Sequence, residues 1–222
     1  MSIPQNIENI KATLPNGVQL IAVSKTKPNE AIMEAYNAGS RVFGENKPQE
    51  LMRKYEELPK DIEWHFIGHL QTNKVKYIAP FVTLIHGVES IKLLKEINKQ
   101  AVKNNRVIDC LLQFHIAEED TKFGLSLTEA EEILDSEAFK TLQNIRIVGV
   151  MGMATYTDNT QQIEDEFENL RNIFNILKTD FFADTDSFKE LSMGMSGDYE
   201  LAIKHGSTMV RIGSTIFGAR NY

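Results

Sequence analysis

The sequence repeats one pattern along its length: a short apolar, β-branched segment is followed by a longer segment with helical spacing. Eight β segments can be distinguished, at Val18–Ser24, Arg41–Phe43, Glu63–Ile67, Phe81–Gly87, Arg106–Ile116, Ile145–Met151, Glu190–Met193 and Met209–Ile212. Strict alternation predicts parallel strands joined by helical crossovers, because a tight hairpin cannot join parallel neighbours. Eight such units in 222 residues predict an α/β fold with a single (β/α)8 TIM barrel.

The segments between the strands have the spacing of amphipathic helices. These helices are predicted at Glu30–Ala38, Pro48–Glu57, Gln71–Ala79, Ser90–Lys103, Thr128–Asp135, Gln161–Lys178, Asp198–His205 and Ser214–Phe217, with an extra N-terminal helix at Asn6–Thr13. Thr128 and Glu131 have the spacing of a capping box. The pattern indicates one domain over residues 1–222. An open doubly wound sheet is the alternative, but it fits six strands better than eight.

Charge and composition limit the possible partners. The chain has 24 Lys and Arg against 31 Asp and Glu, a net charge of −7, which argues against nucleic acid as a main partner. A basic rim is one interpretation of five residues, but a solvated face is the simpler one; they are Lys47, Arg53, Lys54, Lys74 and Lys76. The uncharged apolar runs are far shorter than the ~20 residues of a membrane-spanning helix. With the single Cys110, these features predict a soluble, cytoplasmic protein. We also expect it to be a monomer.

Polar residues at the carboxyl ends of the predicted strands are the candidates for a site, because the active sites of such barrels lie there. Lys25 directly follows the first apolar run, and Asn46 follows the second strand. Partial desolvation beside a barrel core would lower the pKa of the Lys25 amine and favour its attack on a carbonyl. Taken alone, Lys25 is more simply a surface lysine. We interpret His65 as a core histidine with satisfied hydrogen bonds.

Two adjacent loops near the C-terminus have small residues where a strand gives way to a helix. They contain Ser196–Gly197 and Gly213–Ser214. Either serine could be a simple N-cap. Two helix N-termini at the corner where these barrels usually bind phosphate nevertheless favour a phosphate site. A ligand that reaches from this corner to Lys25 needs a phosphate and an aldehyde, as pyridoxal 5′-phosphate has, and Arg211 would then face its ring nitrogen.

Five segments carry a family resemblance. They are Ala22–Pro28 (AVSKTKP), Phe43–Asn46 (FGEN), Trp64–Lys74 (WHFIGHLQTNK), Lys122–Gly124 (KFG) and the long run Leu191–Arg220. Together they extend over nearly the whole chain. These segments resemble the pyridoxal phosphate homeostasis protein family, whose fold is similar to the N-terminal barrel of alanine racemase.

The resemblance implies that the barrel holds pyridoxal 5′-phosphate as a Schiff base on Lys25. It assigns the phosphate to Ser196, Gly197, Gly213 and Ser214, the ring nitrogen to Arg211, and a place near the ring to Asn46. It further implies a role in intracellular vitamin B6 balance with no established catalytic reaction. Apo forms of pyridoxal-phosphate-dependent enzymes are candidate recipients of the cofactor.

Two other functions stay open at this point: a pyridoxal-phosphate enzyme such as a weak amino-acid racemase, and a cofactor-free barrel that acts as an interaction module. Racemisation needs a second acid–base group on the far face of the substrate. In alanine racemase a tyrosine of an additional β domain supplies it, and because this sequence ends at Tyr222 we expect no such domain. The five histidines lack metal-ligand spacing, so we expect no metal. The resemblance to a family without an established reaction implies that no residue is catalytic.

Overall fold

The chain folds into a closed barrel of eight parallel strands. A computed structural model describes residues 2–118 and 123–219 of the chain. Each strand pairs with its neighbours in chain order, and β8 pairs with β1 to close the barrel. The strands are β1 (Gln19–Val23), β2 (Val42–Glu45), β3 (Glu63–Phe66), β4 (Leu84–Val88), β5 (Ile108–Gln113), β6 (Ile145–Met151), β7 (Glu190–Met195) and β8 (Met209–Ile212). The predicted (β/α)8 barrel is confirmed.

Helices lie between consecutive strands, one more precedes β1 and another follows β8. They are α1 (Ile3–Thr13), α2 (Asn29–Asn37), α3 (Pro48–Glu57), α4 (Val75–Ile78), α5 (Ile91–Lys103), α6 (Leu127–Asp135), α7 (Glu137–Lys140), α8 (Thr160–Asp180), α9 (Tyr199–Lys204) and α10 (Ser214–Phe217). In the part of the chain that the structure describes, no helix combines the length and the apolar character needed to cross a membrane.

The apolar residues form two packed clusters, one on each side of the barrel wall. Ile21, Leu84, Leu111 and Met209 belong to the smaller cluster inside the barrel. The larger cluster lies between the strands and the surrounding helices. Because successive side chains of a strand point to opposite faces, six of the eight strands contribute to both clusters, whereas β3 and β7 contribute apolar residues only to the larger one. This packing fixes the register of the strands, and so the position of the residues at their carboxyl ends.

Two local predictions are corrected, and one short helix was not predicted. The capping box of α6 consists of Ser126 and Glu129, which bond each other's backbone N–H groups, and not of Thr128 and Glu131. The segment predicted as the helix Gln71–Ala79 is a 3-10 turn that continues into the short α4. An additional short helix, α7, follows α6. Lys122 and Arg220 of the family-like segments lie outside the described residues.

The extra N-terminal helix packs against α2 and α10. Helix α1 begins after Ser2, whose hydroxyl caps it, with Pro4 in its first turn. Ile7 and Ile10 are buried, and the Asn6 side chain donates a hydrogen bond to the carbonyl of Ile216 in α10 at 3.0 Å. Helix α1 therefore holds α10, and with it the loop that follows β8.

Candidate functional site

The β1–β8 seam brings Lys25 close to the loop that follows β8. In the register of this pair, Ile21 lies beside Arg211. At the end of the seam, a Cβ atom on Gly213 would lie 3.2 Å from the carbonyl oxygen of Val23 and 3.3 Å from its Cβ. A side chain there would require the two segments to shift by a few tenths of an ångström. Gly213 therefore packs against a residue two positions before the half-buried Lys25.

The loops after β7 and β8 are joined to each other. The backbone N–H of Gly213 donates a hydrogen bond to Ser196 Oγ at 3.2 Å. The N-cap positions of α9 and α10 are occupied by Asp198 and Gly213, so neither Ser196 nor Ser214 is an N-cap residue. Ser214 is exposed at the first position of α10. The structure thus brings together both small-residue loops that the sequence singled out.

Arg211 lies inside the barrel, and two of its guanidinium nitrogens donate hydrogen bonds to other strand and loop residues. Its side chain is buried, with Nη1 donating to Ser192 Oγ at 2.6 Å and Nη2 to the carbonyl of Gly152 at 3.0 Å. Burial lowers the pKa of Arg211 to about 10, against an opposing effect of Asp198. The group therefore keeps its charge at neutral pH and stays a hydrogen-bond donor.

A line of buried polar side chains continues from Arg211 across the barrel. Ser192 Oγ lies 3.0 Å from His86 Nδ1, and His86 Nε2 lies 3.0 Å from His65 Nδ1. Burial lowers the pKa of His65 to about 3 and holds that of His86 well below its ordinary value. Both rings are therefore neutral. Because Ser192 accepts from Arg211, its hydroxyl hydrogen can be donated to His86, which then donates to His65.

The expectation for His65 as a hydrogen-bonded core histidine is confirmed, since only 2% of it is exposed. Sequence reasoning missed the other two members of this line. Their partners are distant in the chain, with 106 positions between His86 and Ser192. Alternation alone could have indicated them, because His86 and Ser192 are polar residues inside otherwise apolar strands.

Asn46 lies at the same mouth of the barrel, after β2. A Cβ atom on Gly68 would lie 2.8 Å from the Cβ of Asn46, so the absence of a side chain on Gly68 makes room for this residue. Asn46 Oδ1 is buried and has no hydrogen-bond partner among the described residues. A buried amide oxygen without a partner costs free energy unless a ligand supplies a donor. Asn46 therefore fits a ligand-contacting role.

A buried cluster of charged residues lies next to the turn that carries Lys25. Lys54 of α3 is completely buried, with Nζ 2.7 Å from both Glu45 Oε1 and Glu50 Oε1. The expectation that Lys54 belongs to a solvated face is wrong. Lys54 lies three positions after the buried Leu51, on the same face of α3, and this spacing was the available signal. Burial raises the pKa of Glu45, whereas Lys54 acts in the opposite direction.

In residues 2–118 and 123–219, no group of three or more His, Cys, Asp or Glu side chains is placed to hold an ion.

Comparison with known proteins relates this site to a family. The family described as "Alanine racemase, N-terminal domain" matches residues 2–221. A pyridoxal phosphate homeostasis protein of Aquifex aeolicus (strain VF5) is 42% identical over 208 residues, which cover 93% of this chain and 89% of the relative. The chain belongs to the pyridoxal phosphate homeostasis protein family. Another member, from Vibrio alginolyticus, is 39% identical over 100% of this chain and 99% of its own.

Solved structures extend this relationship to the whole barrel. PipY of Synechococcus elongatus PCC7942, solved without PLP, is 34% identical to this homeostasis-family chain, with a TM-score of 0.91 over 98% of this chain and 100% of PipY. PipY with PLP bound gives a TM-score of 0.88 at 33% identity over the same shares. Alanine racemase of Bacillus anthracis is 16% identical, with a TM-score of 0.74 over 99% of this chain and 56% of the racemase, and shares the fold alone.

Proposed function

We propose that this chain binds pyridoxal 5′-phosphate as a Schiff base on Lys25 and serves intracellular vitamin B6 homeostasis. The observation that carries the proposal is the packing of Gly213 against Val23, which brings the loop after β8 to the strand end that bears Lys25. A ligand with an aldehyde at one end and a phosphate at the other fits this pair of features. The PLP-bound structure of PipY, a relative over almost the full chain, supports the same ligand.

We propose the following contacts to the cofactor. Its phosphate is held at Ser196, Gly197, Gly213 and Ser214, its ring nitrogen by Arg211, and its ring edge near Asn46. Gly197 suits a close ligand approach, because no heavy atom lies within 4 Å of the position a Cβ would take. When bound, the cofactor supplies an aldehyde, to whose carbon the Lys25 nitrogen forms a C=N bond while the oxygen leaves as water.

Arg211 explains why cofactor binding need not imply catalysis. Its guanidinium stays charged and is fixed by Ser192 and Gly152, so it offers the ring nitrogen a donor and leaves that nitrogen without a proton of its own. A ring nitrogen without a proton is a weaker electron sink for reactions at an amino-acid Cα. The curated relatives are likewise named as homeostasis proteins.

We further propose how the protein acts as a whole. Residues 1–222 form one cofactor-binding domain, which acts as a cytoplasmic monomer. Gly197 and Ser214 are exposed, so the phosphate end of the ligand can be reached from solvent. This access favours loading and release, and apo forms of pyridoxal-phosphate-dependent enzymes are the proposed recipients.

Borohydride trapping tests the proposal. The protein loaded with pyridoxal 5′-phosphate should show a visible absorption band, and reduction should fix the cofactor on the peptide that contains Lys25. Lys25→Ala should abolish both signals and leave the fold intact, because the residue lies beyond the end of β1. Lys27→Ala, the control at the neighbouring lysine, should retain both. Unchanged labelling of Lys25→Ala would contradict the assignment.

Hydrogen exchange at Cα tests the absence of catalysis. A panel of amino acids is incubated with the loaded protein in heavy water, and deuterium at Cα is followed by mass spectrometry. We expect exchange far below an ordinary enzymatic turnover of about 1 s⁻¹. Turnover at that rate or above for any amino acid would instead identify a pyridoxal-phosphate enzyme.

A further inference from the structure

The turn that follows β1 has an unusual backbone conformation. The N–H of Lys27 donates to the carbonyl of Ser24 at 3.0 Å, which closes a β-turn with Lys25 and Thr26 at its centre. Thr26 has a φ of +65°, in the left-handed region that favours glycine. A β-branched residue in this region is strained, by roughly 1–2 kcal/mol. Such a conformation persists only where neighbouring groups enforce it.

The enforcing groups are the buried charged residues of β2 and α3. Lys54 Nζ donates to the Ser24 carbonyl at 2.9 Å, and Ser24 Oγ donates to Glu45 Oε1 at 2.6 Å. On the other side of Lys25, the N–H of Thr26 donates to Glu50 Oε1 at 2.7 Å. Both residues that flank Lys25 are therefore bonded to one cluster, which we call the turn clamp: Glu45, Glu50 and Lys54.

Stability alone does not account for the turn clamp. Lys54 and Glu45 are both fully buried, and removing two charges from water costs several kcal/mol per ion. Apolar side chains of similar volume are often at least as stabilising at such a position. The carboxylates and the ammonium, in contrast, can form hydrogen bonds with backbone N–H and C=O groups, which apolar side chains cannot do. The contacts made by the clamp therefore point to a positioning role.

The clamp contacts the turn from the outer side of the barrel wall. Glu45 shares the outward face of β2 with Phe43, a member of the outer apolar cluster, whereas Val42 belongs to the inner one. The bond from Ser24 to Glu45 places Ser24 on that outward side. Along β1, Ile21 belongs to the inner cluster and Ala22 to the outer one, so Ser24 continues the outer face of the strand. Holding Ser24 and Thr26 from outside thus orients the residue between them.

We propose that the turn clamp is a positioning device for Lys25, holding the strained turn so that the amine is presented to the cofactor aldehyde. This inference rests on the proposed Schiff base at Lys25. Glu50 is the member to test, because its side chain is 15% exposed and lies at the edge of the cluster. Glu50→Leu removes the acceptor for Thr26 N–H, and Glu50→Gln keeps an oxygen at that place. Glu56→Leu, on the exposed side of α3, is the matched control.

Comparing the binding of two ligands shows whether a substitution affects the positioning of Lys25 or the structure of the whole site. Pyridoxal 5′-phosphate depends on the Lys25 bond, whereas pyridoxamine 5′-phosphate has the same ring and phosphate but no aldehyde. We expect Glu50→Leu to weaken binding of the first about tenfold and to leave binding of the second unchanged within about twofold. Glu50→Gln and Glu56→Leu should bind both ligands like the wild type. Equal weakening for both ligands, or no weakening for either, would overturn the proposal.

A measurement without cofactor checks the same device directly. Hydrogen exchange of the Thr26 amide, followed by NMR in the ligand-free protein, should accelerate at least about tenfold in Glu50→Leu and not in Glu50→Gln. An unchanged exchange rate in Glu50→Leu would contradict the clamp. Lys25→Ala separates failure of the proposed Schiff base from failure of the turn clamp. Covalent labelling that survives in Lys25→Ala refutes the Schiff base. Labelling that is lost in Lys25→Ala but is normal in Glu50→Leu refutes the turn clamp alone.

Discussion

For single residues, the proposed site depends on which polar atoms already have a hydrogen-bond partner within the protein. Arg211 has two of its guanidinium nitrogens bonded inside the barrel, to Ser192 and to the Gly152 carbonyl. Asn46 Oδ1, in contrast, is buried with no partner in the described part of the chain. Arg211 is therefore held in place before a ligand binds, whereas Asn46 still has an acceptor oxygen that a ligand can use. This combination is what a preorganised binding site requires.

Ser196→Asp tests the phosphate corner. The new carboxylate would lie beside the Gly213 N–H and would repel the phosphate, so affinity for pyridoxal 5′-phosphate should fall by about tenfold or more. Ser187→Asp adds the same charge in the loop before β7, away from the strand ends that bear the site, and should leave affinity unchanged. Equilibrium titration of absorbance measures both. If Ser196→Asp retains wild-type affinity, the phosphate does not bind at Ser196, and the proposed phosphate site is wrong.

The buried histidines predict a pH dependence of stability. Burial lowers the pKa of His65 to about 3 and that of His86 well below 6.5, so the unfolded chain takes up protons first as the pH falls. Their contribution to stability is therefore complete above about pH 6.5 and is lost as the pH falls from there towards 3. The slope is on the order of 1 kcal/mol per pH unit for each histidine.

Urea unfolding between pH 7.5 and pH 5 measures this effect. The double variant His65→Gln/His86→Gln should lose less stability than the wild type over that interval, whatever its stability at pH 7.5. Parallel pH profiles for the two proteins would show that the histidines are not neutral in the folded state.

At the scale of elements, α6 gives a sharp test of local structure. Ser126 accepts from the Glu129 N–H, and the Glu129 carboxylate accepts from the Ser126 N–H, so Ser126→Ala should lower the free energy of unfolding by about 1 kcal/mol. Thr128→Ala, at the exposed position that the sequence pattern favoured, should change it by less than about 0.5 kcal/mol. Urea denaturation of both variants distinguishes the capping box Ser126/Glu129 from the predicted box Thr128/Glu131. A larger loss of unfolding free energy in Thr128→Ala would contradict the structure.

The order of elements could be predicted from the sequence, because each strand and helix carries its own periodicity. Helix α3 and strand β6 have the predicted bounds, whereas β5 is shorter at both ends than the apolar run that predicted it. The environment of Lys54 could not be predicted in the same way. Its partners are Ser24 just after β1, Glu45 at the end of β2 and Glu50 on its own helix, and only the assembled barrel brings them together.

At the scale of the whole molecule, the proposed cofactor joins parts of the chain that are distant in sequence. Lys25 follows β1, Ser196 follows β7, and Gly213 follows β8, so the site exists only in the closed barrel. A ligand that binds the folded chain alone raises its stability by mass action. At a free cofactor concentration a hundred times its Kd, the gain should be about 2.7 kcal/mol.

Thermal unfolding with and without pyridoxal 5′-phosphate measures this gain. Tm should rise with cofactor concentration in the wild type, and it should rise less in Lys25→Ala at equal concentrations. A Tm that does not depend on cofactor would mean that the barrel does not bind it.

The most direct measurement is an experimental structure of the protein loaded with pyridoxal 5′-phosphate. We predict continuous density from Lys25 Nζ to the cofactor, the ring nitrogen within hydrogen-bond distance of Arg211, and the phosphate against the backbone of the loops that contain Ser196 and Ser214. A Lys25 side chain directed away from the barrel interior, or a phosphate bound anywhere other than these two loops, would contradict the account.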